Sequence, residues 1–74
     1  MIKLNSEILD EIKLEYVMFS NGNSGSFTTH LFNALTAADH FNFRRLAKAF
    51  PEHAYVVSVA RRSEFFKDFY IPET

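Results

Sequence analysis

The sequence predicts a small, mainly α-helical domain of three or four helices. Apolar residues recur at helical spacing along most of its 74 residues, and they make up 47% of the chain. Polar residues that can cap a helix stand in front of three of these segments, and only two glycines and two prolines interrupt the chain. A chain of this length corresponds to one domain, here residues 1–74.

The first helix is predicted to begin at Asn5 or Ser6, whose side chains can cap it. Acidic residues follow in its early turns, where the helix dipole favours negative charge. Apolar spacing of three and four residues extends this helix to about residue 13. Residues 14–19 combine helical spacing with strand-prone residue types, so both a helix and a short strand stay open there.

A polar loop at residues 20–26 follows, and it contains both glycines of the chain. Positive φ is expected at Gly22 and Gly25, because glycine adopts this conformation at little steric cost. Ser26 is expected to cap the second helix, which covers residues 27–38 and places its apolar side chains on one face.

The third and fourth helices are predicted on either side of a proline. Asp39 is expected to cap the third helix, which ends at Phe50, and Pro51 suits the first turn of the fourth. Residues 52–69 are compatible with one helix. Residues 54–60 are nevertheless rich in β-branched side chains, which leaves a short strand open in that segment.

The composition predicts that the protein associates with itself or with a partner. A chain this short buries only about 60% of the surface that it exposes when unfolded. No cysteine is present, so neither a disulfide nor a thiolate metal site can stabilise it. On a C-terminal helix, four aromatic side chains would fall on two adjacent faces and form the interface of a homo-oligomer or a docking surface. These candidate interface residues are Phe65, Phe66, Phe69 and Tyr70.

The polar loop also suggests an anion site. The first backbone N–H groups of a helix have no partner within it and can hold a phosphate. The candidate phosphate ligands are Gly25, Ser26, Thr28 and Thr29, completed by Arg44 or Arg45 from the third helix. The Gly-Lys-Ser/Thr ending of a P-loop is absent from the sequence. A plain helix cap explains the same loop residues without a ligand, and this alternative stays open.

An enzyme is not expected. Ser26 and His30 are four residues apart, but no acidic residue stands near them to orient the imidazole. The three histidines, His30, His40 and His53, match no metal-binding motif. No catalytic residue, metal ion or cofactor is therefore assigned.

The net charge of −1 argues against a nucleic-acid-binding protein. DNA binding stays an alternative, because residues 28–50 loosely resemble a helix-turn-helix with basic residues on the second helix. No apolar run approaches the ~20 residues of a membrane span, and the first residues lack a signal-peptide pattern. We therefore expect a cytoplasmic protein without a membrane partner.

Three segments carry a resemblance to known proteins: residues 20–27, residues 38–39, and residues 46–52 with their Lys-Ala-Phe-Pro-Glu run. They resemble a group of short uncharacterised proteins of phages and other mobile elements, and the likeness covers residues 16–53. That group has no established activity, so no site residue carries over. The resemblance implies a phage-type accessory protein that binds and blocks a host factor, such as a host-defence component. An alternative is that the protein sequesters a phosphate-bearing small molecule, such as a nucleotide signal.

Overall fold

A computed structural model describes residues 1–72 and confirms the mainly helical fold. The four helices are α1 (Ser6–Ser20), α2 (Ser26–Ala37), α3 (His40–Ala49) and α4 (Pro51–Ala60). A 3₁₀ helix (Glu64–Asp68) follows α4. Two short strands, β1 (Ile2–Lys3) and β2 (Phe69–Tyr70), form a parallel pair.

Helix α4 is the central element, and α1, α2, α3 and the 3₁₀ helix all pack against it. Apolar residues are distributed around most of its circumference, as is usual for a helix buried on several sides. The hydrophobic core around α4 consists of Leu4, Leu9, Ile12, Leu31, Phe32, Leu35, Phe43, Ala47, Ala54, Val56, Val57 and Phe69.

Residues 14–19 are helical, so α1 continues past residue 13; the helix alternative is confirmed there and the strand alternative is wrong. Tyr16 and Phe19 continue the apolar spacing of the helix. Each of their rings lies 5.1 Å, between centroids, from the ring of Phe32 in α2. Burial of this aromatic cluster outweighs the local strand preference of the segment.

Helix α1 ends in a Schellman motif that depends on a glycine. The N–H of Asn23 donates to the carbonyl of Met18 at 2.8 Å, and the N–H of Gly22 donates to the carbonyl of Phe19 at 3.0 Å. Gly22 has a φ of +77°, which confirms the positive φ expected for this residue.

Helix α2 begins differently from the prediction. Gly25 occupies the cap position with φ −66°, so the expectation of positive φ at this glycine is wrong. Ser26 is the first helical residue and therefore does not cap the helix. Within residues 1–72, no side chain caps α2.

The two glycines should respond differently to the same substitution. Gly22→Ser should lower the free energy of unfolding by about 1 kcal/mol, because serine is strained at positive φ. Gly25→Ser should be neutral or stabilise the fold by a few tenths of a kcal/mol, since serine is a good cap and a Cβ there meets no atom within 4 Å. Urea unfolding of both variants measures the difference, and equal losses would contradict these backbone assignments.

The Asp39 cap is confirmed, because its carboxylate accepts the N–H of Asn42 at 2.8 Å. Helix α3 ends one residue before Phe50, and Pro51 takes the first position of α4, as predicted.

Helix α4 ends at Ala60, so the prediction of one helix over 52–69 is wrong, as is the strand alternative at 54–60. A second Schellman motif closes it: the N–H of Ser63 donates to the carbonyl of Ser58 at 2.9 Å. Arg62 holds the left-handed position of this motif, with φ +55°. Since that position is usually glycine, an arginine there gives no sequence signal of a helix end.

The two ends of the chain meet on α4. Ile2 pairs with Phe69 in the parallel sheet, and the N–H of Leu4 donates to the carbonyl of Tyr70 at 2.8 Å. The N–H of Asn5 donates to the carboxylate of Glu52, in the first turn of α4, also at 2.8 Å. These contacts anchor both chain ends to the central helix.

Candidate functional site

Three helices bring a hydroxyl, a carboxylate and an imidazole together behind the polar loop. The Oγ1 of Thr28 in α2 donates to Oε1 of Glu15 in α1 at 3.3 Å. The Nε2 of His53 in α4 lies 3.8 Å from the same carboxylate oxygen. The Glu15 carboxylate therefore links α1 to both neighbouring helices.

His53 is held in an aromatic environment. Its side chain is 15% exposed, and its ring lies 5.4 Å from that of Phe32 and 5.9 Å from that of Phe50, between centroids. Burial lowers the pKa of His53 below its usual 6.5, although the carboxylates of Glu15 and Glu52 act in the opposite direction. The imidazole is consequently neutral at neutral pH.

This lowered pKa predicts that acid weakens the fold through His53. The unfolded chain takes up a proton near pH 6.5, whereas the folded chain does so only at a lower pH. His53 therefore leaves stability unchanged above that value and reduces it as the pH falls below it. Replacing His53 by Gln should flatten the dependence of the unfolding free energy between about pH 7 and pH 5. The exposed His30→Gln is the control, and an unchanged slope in His53→Gln would contradict the assignment.

Two of the three hydroxyls predicted to hold a phosphate, those of Thr28 and Thr29, have partners within the protein. Ser24 and Thr29 share a hydrogen bond between their hydroxyls at 2.5 Å, and Thr28 donates to Glu15. Glu15, Ser24, Gly25 and Thr28, with a neighbouring methionine, line a cavity of about 120 Å³. The Glu15 carboxylate places negative charge beside the loop where an anion would approach.

Within one chain, the structure places Arg44 and Arg45 away from this loop, so neither completes the predicted site from the same subunit. Phe27, at the start of α2, lies 6.0 Å from Phe50 at the far end of α3, between ring centroids. The two arginines precede Phe50 by five or six residues, which is roughly 8–9 Å along a helix. Arg45 instead lines a groove between α2 and α3, and Arg44 lines a cavity beside the 3₁₀ helix.

The four aromatic residues predicted to form an interface are divided between core and surface. Phe65 is half-buried and its ring lies 4.7 Å, between centroids, from that of Phe43. Phe69 is only 6% exposed, and its ring contacts that of Tyr55 at 5.6 Å. Phe66 and Tyr70 are 43% and 42% exposed. The shared helical faces do not form, because this segment is a 3₁₀ helix followed by a strand.

Sequence reasoning missed an apolar surface on the outer side of α1. Leu14, Val17 and Met18 are 64%, 54% and 45% exposed, and their spacing places them on one face. Glu7 and Asp10 continue this face toward the start of the helix, and both are exposed. We call these five residues the α1 face. The spacing is visible in the sequence, but only if the helix is extended past residue 13.

A second surface on α3 combines an aromatic ring with basic side chains. Phe41, Arg45 and Lys48 follow one another at helical spacing, and all three are exposed. The guanidinium carbon of Arg45 lies 5.4 Å from the centroid of the Phe41 ring, which is 69% exposed. We call these three residues the α3 face.

Comparison with known proteins gives no relative: no protein-family model, curated sequence or solved structure matches this chain significantly. Across residues 1–72, no three histidine, aspartate or glutamate side chains are grouped as metal ligands would be. None of the helices in this part of the chain has the length and apolar character needed to cross a membrane.

Proposed function

We propose that this protein is a non-enzymatic, phage-type accessory protein that binds a host protein in the cytoplasm and blocks it. The observation that carries the proposal is the exposure of apolar side chains at residues 66–71, whereas Phe65 and Phe69 of the same segment pack on the core. Phe66, Tyr70 and Ile71 are 43%, 42% and 47% exposed. We call these three residues the C-terminal surface.

The C-terminal surface has the chemistry of a protein-docking site. Phenylalanine and tyrosine supply large contact areas, and tyrosine is enriched among residues that dominate binding energy. Charged residues neighbour it, since Lys3 pairs with Tyr70 in the parallel sheet. An exposed ion pair joins Glu64 and Lys67 at 3.6 Å. An apolar centre with a charged border is the usual composition of a protein interface.

The two other functions are less well supported by the geometry. Sequestration of a phosphate-bearing molecule needs cationic groups at the polar loop, where the structure places the carboxylate of Glu15 instead. DNA binding would depend on the basic residues of α3 in a chain whose net charge is −1.

The test uses the full-length chain as bait in a host-cell extract, followed by a binding and inhibition assay with the purified partner. Phe66→Glu combined with Tyr70→Glu should weaken binding to the partner and relieve its inhibition. Ile8→Glu combined with Phe27→Glu is the matched control, because it adds the same two charges at exposed apolar positions outside the C-terminal surface, the α1 face and the α3 face. Circular dichroism should show that all variants are folded.

Two results would overturn the proposal. One is a partner that the C-terminal double variant binds and inhibits as well as the unmodified chain does. The other is a rise in melting temperature with inorganic phosphate or a nucleotide that is lost in Thr28→Ala with Thr29→Ala. That second result would favour sequestration of a phosphate-bearing molecule.

A further inference from the structure

We propose that the protein self-associates by packing the α1 face of one copy, antiparallel, against the α3 face of a second copy. This contact uses none of the residues of the C-terminal surface and does not depend on the proposed host partner. It relocates self-association from the C-terminal aromatic residues to two surfaces that sequence analysis did not identify.

The α1 face is divided along its length into an acidic half and an apolar half. Glu7 and Asp10 lie in the first two turns, and Leu14, Val17 and Met18 lie in the last two. The three apolar side chains are 45–64% exposed, so the chain's own core leaves them uncovered. A partner that covers this face must offer apolar contact at one end and positive charge at the other.

The α3 face offers those two features in the opposite order. Phe41 lies at the start of α3, and Arg45 and Lys48 follow one and two turns later. Beside it, Ala34, Ala37 and Leu46 line a groove of about 420 Å³ between α2 and α3. Small residues such as alanine let another helix approach closely, and a groove of this kind accommodates the apolar side chains of a docked helix.

The two faces match in length as well as in chemistry. Asp10 and Val17 are seven residues apart, as are Phe41 and Lys48, so each pair spans roughly 10 Å along its helix. An antiparallel arrangement places Asp10 opposite Lys48 and Val17 opposite Phe41. A parallel arrangement would instead place carboxylates against the phenyl ring and apolar side chains against the cations. Only the antiparallel arrangement pairs the carboxylates with the cations and the apolar side chains with the phenyl ring.

Charge complementarity identifies a second copy as the occupant. Residues 1–26 contain two basic and four acidic residues, whereas residues 44–62 contain five basic residues and one acidic residue. Acidic and basic surfaces therefore lie on different helices of a chain that is almost neutral overall. The partner that each surface requires is present on every other copy of the protein.

The contact is heterologous, because it joins two different surfaces. Each copy then keeps one free α1 face and one free α3 face, and further copies can add until a ring closes. This property gives the experiment its design: blocking one face in one variant and the other face in a second variant should stop growth at two copies.

The α1-blocked variant is Leu14→Glu with Val17→Glu, and the α3-blocked variant is Arg45→Glu with Lys48→Glu. Sedimentation velocity should show concentration-dependent assemblies of the unmodified chain that weaken as salt rises. Each blocked variant alone should associate with itself at least about tenfold more weakly than the unmodified chain does. An equimolar mixture should form a 1:1 dimer and nothing larger, because each variant supplies the face that the other has lost.

Phe66→Glu is the matched control, since it changes the C-terminal surface and should leave self-association unchanged. Circular dichroism and melting of every variant exclude misfolding as the cause of dissociation. As a second pair of changes, Glu7→Lys and Asp10→Lys should restore association when combined in one chain with Arg45→Glu and Lys48→Glu. In this variant opposite charges still pair across the contact, with the positive charges now on α1 and the negative charges on α3.

Three outcomes would overturn this inference. The unmodified chain could stay monomeric at high concentration. The blocked variants could assemble like the unmodified chain. Finally, two monomeric blocked variants could fail to form a dimer when mixed, which would mean that the α1 and α3 faces do not pair with each other.

Discussion

Phe32→Ala is expected to have the largest effect on stability, a loss that removes most of the free energy of unfolding at room temperature. The Phe32 side chain is fully buried, and its ring is surrounded by those of Tyr16, Phe19 and His53 at centroid distances of 5.1–5.4 Å. Truncation of a buried phenylalanine to alanine costs about 3–5 kcal/mol, because it removes apolar contacts and leaves a cavity. A domain of this size has a total stability of only about 5 kcal/mol.

Urea unfolding followed by circular dichroism measures the effect of Phe32→Ala. Phe41→Ala, at a ring that is 69% exposed, is the control and should change stability by less than about 0.5 kcal/mol in dilute protein. Similar losses in the two variants would mean that the aromatic cluster between α1, α2 and α4 is not the centre of the core.

Phe69→Ala is expected to have the second largest effect, a loss of about 3 kcal/mol or more. Phe69 is 6% exposed, packs against Tyr55, and pairs with Ile2 in the parallel sheet. Its truncation therefore weakens the core and the junction of the two chain ends together.

The control for Phe69 is its neighbour in the same aromatic segment. Phe66→Ala should cost less than about 0.5 kcal/mol, because the Phe66 side chain is 43% exposed. Thermal melting of the two variants separates a core residue from a surface residue. Equal melting temperatures would support the aromatic helical faces predicted from the sequence, and would contradict the 3₁₀ helix and strand of the structure.

Local signals predicted most of the helices. Asn5 and Asp39 accept hydrogen bonds from the first turns of α1 and α3, and Pro51 begins α4. These features depend only on residues within one turn, so sequence alone contains them. The same is true of Gly22, whose positive φ follows from its position just after a helix.

The elements that sequence missed depend on contacts between distant residues or on unusual backbone conformations. Parallel pairing of residues 2–3 with 69–70 has no local signature, because each strand is two residues long. Arg62 ends α4 in a left-handed conformation that a non-glycine residue adopts rarely. The contact of Glu15 with Thr28 and His53 joins three helices and has no local signal in the sequence. For this reason the hydroxyls of the candidate phosphate loop were predicted to be available to a ligand.

These missed features also account for the change in candidate binding surfaces. The loop residues were chosen for their hydroxyls and amides, but the Thr29 hydroxyl bonds to that of Ser24 and the Thr28 hydroxyl bonds to Glu15. The C-terminal aromatic residues were grouped by helical spacing, and the 3₁₀ helix divides them instead. The candidate surfaces for protein contacts are instead the C-terminal surface, the α1 face and the α3 face, whose apolar side chains are exposed.

The most direct test of a protein-docking function is site-specific photocrosslinking in a host-cell extract. A photoreactive residue is placed at Phe66 on the C-terminal surface in one sample and at Ser26 on the polar loop in another. The proposal predicts that a host protein crosslinks strongly from position 66 and weakly or not at all from position 26. A host protein that crosslinks from position 26, with none from position 66, would contradict it.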